Sequence, residues 1–423
     1  MNQHYPDAVA TMAAIREGRM SAREATETCL DRINAREALI DAWAHLDPTL
    51  ALRQADMLDM TESSGPLHGV PIGVKDVLLT QDMPTQYGSA LYAGHAPALD
   101  AAAVSLLRQA GAVILGKTTT VELASIGAPP RTCNPHNIEH TPGGSSSGSA
   151  AAVADGHVPI AIGTQTGGSI IRPASFCGVW ALKPSWGLVP TEGAKSFSPS
   201  LDTIGWFARS ARDLTLMLDV FDPAQVAEAP AIGKARIGVW RTAGWSRAEA
   251  ATRNAMQMAI EMLEQAGAKV EELDLPSPFT ELAETHHTIM FAEGARSFLR
   301  EYRMAPELLH PCIQAMVREG ERAPRNALRD ALDQAAMARA EFDRIASSYD
   351  AVLAPSTIGQ APHGKTSTGD LLFNGLFTLL HVPCVNIPLW AAVDGLPVGL
   401  TLTGPRYADH RIVALAEQFS DLI

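Results

Sequence analysis

The feature of this chain that most constrains its fold is a recurring order in which a helical segment is followed by a short apolar strand. A segment with helical spacing stops at Gly111, and the apolar run 112–115 follows it. The same order recurs at 148–162 and again at 249–275. Alternation of this kind is typical of an α/β protein, so we predict a sheet covered by α-helices on both faces.

The length of 423 residues would allow two or three domains of typical size. No repeat or low-complexity tract divides the chain, and we predict a single domain over residues 1–423. Within it, residues 1–60 are predicted to be N-terminal helices, because apolar residues recur there at helical spacing. The charged region 278–346 is predicted to be a helical insertion that flanks the pocket.

The composition excludes several classes of partner. A net charge of −13 without a basic stripe argues against nucleic-acid binding. No apolar run approaches the roughly 20 residues that span a bilayer, so we expect no membrane partner. The stretch from Met1 to Met20 lacks the layout of a secretory signal, and a cytoplasmic location is expected.

The cysteines do not predict a metal site. There are 5 of them, scattered and without a C-x-x-C pair. Cys133 precedes His136 and His140, but no second ligand pair accompanies this group, and we interpret the proximity as coincidence.

Glycine and serine concentrate in two loops, 141–149 and 163–169, and the second follows the apolar strand 158–162 directly. Loops at the carboxyl ends of strands carry the ligand chemistry of open α/β sheets. Successive glycines also allow backbone amides to converge on one anion, such as the oxyanion of acyl transfer. The predicted oxyanion-hole residues are Thr166, Gly167, Gly168 and Ser169.

A serine nucleophile needs a base, and neither loop has a histidine in a persuasive position. A lysine can serve where burial lowers its pKa. Lys75, at the end of a largely apolar strand, is the best candidate. Its long side chain would reach one serine, which would pass the proton to another.

Three segments together resemble the signature elements of the amidase signature family: 69–76 (Gly-Val-Pro-Ile-Gly-Val-Lys-Asp), 143–149 (Gly-Gly-Ser-Ser-Ser-Gly-Ser) and 163–169 (Gly-Thr-Gln-Thr-Gly-Gly-Ser). They occur in that family's order and spacing, and 67–220 is the predicted signature core. The likeness continues to the closing motif at 395–405. It implies the family's fold, a mixed β-sheet core with helices on both faces, and an amidohydrolase that needs no metal or organic cofactor.

The resemblance also implies roles for three residues. Lys75 would be the general base, and Ser145, held by a cis peptide bond after Gly144, would be the bridging residue. Ser169 would attack the carbonyl and form an acyl-enzyme, with release of ammonia or an amine.

The nucleophile loop departs from most of the family at two positions. Most members have Asp where this chain has Gln165, and Arg where it has Ile171; here an arginine follows as Arg172. This pattern resembles that of malonamidase, in which the equivalent arginine binds the substrate carboxylate. A guanidinium matches a carboxylate with two hydrogen bonds, so a small, malonamate-like amide is expected. Arg172 is its predicted anchor, and Gln165 and Ser146 are the other substrate-binding candidates.

Several alternatives stay open on the sequence. Arg172 would be an internal partner if the substrates were neutral or aryl amides. The chain would also suit the amidase subunit of a glutamine-dependent transamidation complex, and a homodimer is a further expectation. Ser146 is central to a G-x-S-x-G match, but no strand precedes it. The match of 111–118 to a phosphate loop fails because its variable positions form an apolar strand, and Lys117 is the rival base.

Overall fold

The computed structural model describes residues 5–62, 65–223, 229–322, 324–390 and 395–423. The first four residues of the predicted helical region 1–60 therefore lie outside the described residues.

The described part of the chain forms one sheet of 11 strands. The strands are β1 (Trp43–Leu46), β2 (Pro71–Lys75), β3 (Val113–Thr118), β4 (Ile160–Gln165), β5 (Trp180–Lys183), β6 (Thr203–Ala208), β7 (Arg236–Val239), β8 (Lys269–Glu272), β9 (Ala351–Pro355), β10 (Cys384–Leu389) and β11 (Val398–Thr403). Their order in the sheet is β1-β3-β2-β4-β6-β5-β10-β11-β9-β7-β8. β2 is parallel to β3 and β4, whereas β4 is antiparallel to β6, so the predicted mixed sheet is confirmed.

Fourteen α-helices accompany the sheet in the described residues. They are α1 (Ala8–Arg16), α2 (Ala22–Ile40), α3 (Pro48–Asp59), α4 (Ala102–Gln109), α5 (Ser147–Ala154), α6 (Ile171–Cys177), α7 (Arg212–Phe221), α8 (Ala250–Gln265), α9 (Leu282–Ser297), α10 (Leu299–Met304), α11 (Pro311–Arg322), α12 (Arg325–Ala346), α13 (Gly375–Leu379) and α14 (Asp409–Ser420). The central strands β2, β3 and β4 are buried along their whole length. Their near-continuous apolar runs are typical of strands covered on both faces.

The N-terminal region is not wholly helical. The structure contains α1, α2 and α3 there, but the strand β1 lies between the last two. β1 pairs antiparallel with β3 at the edge of the sheet. The four-residue strand is too short for a period to show in the sequence, and its pairing partner lies about 70 residues further along the chain. This is the part of the 1–60 prediction that the structure corrects.

The charged region 278–346 contains α9 to α12. α12 has one apolar face: Leu328, Ala335 and Phe342 are buried, while the opposite face is exposed. α9 packs against α11, α12 and the short helix α13. This packing brings α9 to the loop that follows β4.

None of the described helices is both long and apolar enough to cross a membrane.

Candidate active site

Two parallel strands bring the predicted base and the nucleophile loop to one edge of the sheet. β2 ends at Lys75, and its neighbour β4 ends at Gln165. The register pairs Val74 with Ile162, so the residues that follow on the two strands lie side by side. Because the carboxyl ends of parallel strands open at the same edge, the side chain of Lys75 meets the chain leaving β4.

Lys75 lies in direct contact with Ser145. The lysine is 0% exposed, and its Nζ lies 2.8 Å from Ser145 Oγ and 2.7 Å from Thr164 Oγ1. A cis peptide bond joins Gly144 to Ser145, as the family resemblance implies. The structure therefore brings together the residues predicted as base and bridge.

The surroundings of Lys75 favour its neutral form. Burial lowers the pKa of Lys75 well below its ordinary value, and the carboxylate of Asp202 opposes this only in part. A neutral amine that donates to Thr164 keeps a lone pair for the hydroxyl hydrogen of Ser145. That is the arrangement a general base requires.

Ser169 lies in the turn between β4 and α6 and lines a cavity, with 9% of its surface exposed. Among the described residues no hydrogen bond joins Ser169 to Ser145, whose hydroxyl contacts Lys75 instead. The predicted proton relay from Ser169 to Ser145 would therefore require the two hydroxyls to come closer when substrate binds. Such tightening is common between an unliganded enzyme and its complex.

The four predicted oxyanion-hole residues, 166–169, all line the same cavity. The backbone amides of Gly167, Gly168 and Ser169 donate to no other residue in the described part of the chain. Backbone amides in protein interiors are almost always paired, so three consecutive free donors beside a serine hydroxyl form an anion-binding arrangement.

The carbonyl groups of this loop have partners on the other side. His286 Nε2 lies 2.9 Å from the Thr166 carbonyl oxygen, and Thr378 Oγ1 donates to the Gly167 carbonyl at 2.8 Å. Burial lowers the pKa of His286 to about 4, so its ring is neutral near pH 7. Because a carbonyl only accepts, Nε2 must carry the ring hydrogen.

The cavity has a volume of about 250 Å³. Pockets for drug-sized ligands run from roughly 300 to 1,000 Å³, so this one suits a small molecule. Its lining comes from 124–127, 166–169 and 366–369, together with Pro129, Arg172, Phe197, Met290 and Leu371.

Arg172 is the one charged side chain among the described residues that line this cavity. Its Nη2 donates to the Gly144 carbonyl at 2.7 Å and to Thr368 Oγ1 at 3.2 Å. Its Nε and Nη1 are buried and have no hydrogen-bond partner among the residues that the structure describes. Burial lowers the pKa of Arg172 to about 10, which still leaves the guanidinium charged near pH 7.

Gln165 and Ser146 occupy different surroundings and are not part of the cavity lining. Gln165 Oε1 accepts from the amides of Ile170 and Ile171, and its Nε2 donates to Thr378 Oγ1 at 2.9 Å. Ser146 Oγ donates to the Thr164 carbonyl at 3.2 Å. Both side chains form hydrogen bonds to backbone groups, and their polar atoms are occupied by these contacts with described residues.

Lys117 has a separate environment on β3. Its Nζ donates to the Leu78 carbonyl and to Thr85 Oγ1 and lies 3.2 Å from Asp76 Oδ1. Burial lowers the pKa of Lys117 to about 8, and Asp76 works against this shift. The amine of Lys117 is therefore occupied by groups of the loop after β2, and none of these contacts involves Ser145 or Ser169.

The histidines that follow Cys133 bind backbone. His136 Nε2 lies 2.8 Å from the Cys177 carbonyl, and His140 Nδ1 lies 2.8 Å from the Ala361 carbonyl. Throughout the described ranges no group of three or more His, Cys, Asp and Glu is placed to hold a metal ion.

Sequence reasoning missed three residues of this site: Thr164, His286 and Thr378. Thr164 belongs to the glycine-rich motif itself, and strand alternation places its side chain on the opposite face of β4 from Gln165, so the motif could have indicated it. His286 and Thr378 carry no motif, and only the packing of α9 and α13 reveals them.

Comparison with known proteins identifies relatives over most of the chain. The family model described as Amidase matches residues 24–413. A glutamyl-tRNA(Gln) amidotransferase subunit from Chloroflexus aggregans is 33% identical over 470 aligned residues, which cover 98% of this chain and 96% of the relative.

Solved structures show the same fold. A crystal structure of an amidase is 30% identical with a TM-score of 0.90, covering 98% of this chain and 99% of its own. The native peptide amidase from Stenotrophomonas maltophilia is 29% identical with a TM-score of 0.83, covering 98% of this chain and 96% of its own.

Proposed function

The chain belongs to the amidase (amidase signature) family and is a hydrolase of carbon–nitrogen amide bonds, and we propose that it cleaves a small carboxylate-bearing amide through an acyl-enzyme on Ser169. One observation supports the chemistry above all others. A fully buried lysine, Lys75, contacts Ser145 at 2.8 Å beside the cavity that Ser169 lines.

In the proposed mechanism, neutral Lys75 takes the hydroxyl proton of Ser145 as Ser145 takes that of Ser169. The Ser169 oxygen then forms a bond to the amide carbon, whose carbonyl oxygen becomes an oxyanion. The Lys75 ammonium returns its proton through Ser145 to the leaving nitrogen, the carbon–nitrogen bond breaks, and ammonia or an amine departs. Water hydrolyses the acyl-enzyme over the same relay.

The oxyanion is stabilised by the free amides of Gly167, Gly168 and Ser169, with Thr166 completing the loop. Removing one such donor typically costs about 100- to 1,000-fold in kcat, so these donors and the relay together supply much of the rate enhancement. In this mechanism the base, the relay, the nucleophile and the oxyanion donors are all groups of this chain, and water is the second substrate.

Arg172 supports a carboxylate on the substrate. A buried guanidinium without an ion-pair partner is unfavourable. The carboxylate of Asp370 acts on Arg172 only at longer range and pairs with Arg247 at 2.6 Å, and no described carboxylate forms an ion pair with Arg172. A substrate carboxylate in the cavity would compensate this charge. The malonamidase-like pattern of the loop at Gln165, Ile171 and Arg172 supports the same assignment.

A second candidate function is an amidase subunit that acts on glutamine for a transamidation complex, as the name of the Chloroflexus aggregans relative suggests. Glutamine carries an ammonium group beside its carboxylate. The described cavity lining contains no Asp or Glu to pair with that ammonium, which favours a substrate that bears the carboxylate alone.

The deciding experiment measures ammonia release by the purified chain from malonamate, from malonamide and from glutamine. Malonamide is the matched neutral control, since it differs from malonamate only in replacing the carboxylate by a second amide. We expect malonamate to have the highest kcat/KM and Ser169→Ala to abolish release. Glutamine hydrolysis that appears only with a copurifying polypeptide would support the subunit function instead.

Arg172→Met tests the anchor. Hydrogen bonds to charged groups contribute about 1.5–3 kcal/mol, so kcat/KM for malonamate should fall by roughly 10- to 150-fold while that for malonamide changes little. Arg172→Lys keeps the charge without the planar fork and should give an intermediate loss. Equal losses on both amides would contradict a carboxylate anchor.

A further inference from the structure

The direction of each amide in the loop 166–169 follows from the carbonyl of the same peptide unit. A trans peptide is planar, and its C=O and N–H point in opposite directions. The bond between Gly144 and Ser145 is the one cis peptide among the described residues, so the units of this loop are trans. Whatever holds a carbonyl of the loop from outside therefore aims the next amide into the cavity.

Three successive carbonyls of the loop are held in this way. His286 binds the Thr166 carbonyl, Thr378 binds the Gly167 carbonyl, and the backbone amide of Arg172 binds the Gly168 carbonyl at 2.9 Å. The first turn of α6 supplies the last of these. The other two depend on His286 of α9 and Thr378 of α13, and neither of these two side chains belongs to the described cavity lining.

The hydroxyl of Thr378 has only one hydrogen to donate, so it can hold the Gly167 carbonyl only if that hydrogen points toward it. Gln165 Nε2 donates to Thr378 Oγ1 at 2.9 Å, which leaves the Thr378 hydrogen for a carbonyl acceptor. The Gly167 carbonyl at 2.8 Å is closer than the Asn374 carbonyl at 3.2 Å, so we assign the hydrogen to Gly167. Gln165 Oε1 meanwhile accepts from the first amides of α6. The side-chain amide of Gln165 thus fixes the direction of the whole chain of hydrogen bonds.

We propose that His286 and Thr378, with Gln165 behind Thr378, are positioning residues that hold the amides of Gly167 and Gly168 toward the substrate oxygen. This inference rests on the proposed function of Ser169 and deepens it. His286 belongs to the charged helical region 278–346, so that region contributes to the catalytic geometry as well as to the wall of the cavity.

The test compares matched pairs of variants. Thr378→Val removes the hydroxyl at nearly constant volume, and Thr378→Ser restores it; His286→Leu removes the donor, and His286→Gln offers an amide hydrogen near the position of Nε2. We expect Val and Leu to lower kcat by roughly 10- to 100-fold with KM within about 2-fold, because the donors act on the oxyanion and not on the ground-state amide. Ser and Gln should recover most of the loss.

Gln165→Glu tests the direction of the hydrogen bonds. An ionised Glu still accepts from the amides of Ile170 and Ile171 but cannot donate to Thr378. Activity relative to wild type should therefore be low at alkaline pH and should recover as the pH falls and the new carboxyl becomes protonated. A ratio that does not change with pH would overturn the donor role of Gln165.

Two outcomes separate this inference from the proposed function. If Ser169→Ala abolishes hydrolysis while Thr378→Val and His286→Leu keep wild-type kcat, the positioning role is wrong and the nucleophile stands. If the variants change KM and thermal stability but not kcat, the residues are structural only and the inference fails. Full hydrolysis by Ser169→Ala would overturn both.

Discussion

Replacing Lys75 by Met should change how the stability of the protein depends on pH. Lys75 is fully buried, and its pKa in the folded chain lies well below the ordinary value of 10.5. Between those two pKa values the unfolded chain binds a proton that the folded chain does not. The free energy of unfolding of the wild type therefore rises with pH throughout this window, and the lysine is least destabilising near its unfolded pKa.

The expected size follows from that proton. The wild type should gain about 1.4 kcal/mol per pH unit relative to Lys75→Met within the window. The substitution also leaves the hydroxyls of Ser145 and Thr164 without their lysine partner, at about 1–3 kcal/mol each. The cost of the lost hydrogen bonds does not depend on pH. It therefore shifts the difference in free energy of unfolding between the two proteins, but it does not change how that difference varies with pH.

Urea unfolding followed by tryptophan fluorescence, at several values between about pH 7 and about pH 9.5, measures the slope. Ser145→Ala is the matched control, because it breaks the same hydrogen bond but retains the titrating amine, and it should run parallel to the wild type. If the free energy of unfolding of the wild type relative to that of Lys75→Met stays constant or falls as the pH rises, a lowered pKa for Lys75 is refuted. The general-base role would then lose its physical support.

Two further predictions concern other residues. Ser169→Ala should lower kcat by about 10⁴-fold or more. Hydroxylamine should trap an acyl group from the wild type but not from the variant, and mass spectrometry of the products would show it. A trapped product formed by the variant would assign the nucleophile to another residue. Burial raises the pKa of Asp213 to about 7, and its Oδ2 is buried with no hydrogen-bond partner in the described part of the chain. The ionisation of Asp213 therefore destabilises the folded chain as the pH rises from about 4 through 7. Asp213→Asn should therefore raise the thermal midpoint above pH 7, with the gain vanishing near pH 4; a gain that persists at pH 4 would contradict this account.

The positions of Lys75, Ser145 and Ser169 could be predicted because each belongs to a local pattern. The glycine-rich loops 141–149 and 163–169 show in the sequence, and the physical need for glycine is visible in the structure. A Cβ on Gly148 would lie 2.2 Å from the backbone carbonyl oxygen of Ala42, closer than a side chain can approach. The sequence reveals such a constraint as a motif without showing which neighbour imposes it.

His286 and Thr378 could not be predicted because their contacts span long stretches of chain. The bond from His286 to the loop joins residues 120 apart in sequence, and that from Thr378 joins residues 211 apart. Neither helix carries a signal for this contact, since α9 and α13 reach the loop only through tertiary packing. The strand β1 could not be predicted either, because its conformation depends on pairing with the distant strand β3.

The structure explains why Gln165, Ile171 and Arg172 can occur together in this chain. Most members of the family that this chain resembles have Asp at the position of Gln165 and Arg at the position of Ile171. In those members the buried Asp would need a cation, and an ion pair with the Arg would supply it. Here the neutral Gln165 satisfies both the start of α6 and Thr378 without any charge, so Ile171 is free to be apolar and is 1% exposed. The loop thus needs no internal ion pair. Arg172 remains as the sole charge of the described cavity lining, and under our proposal its counter-ion arrives with the substrate.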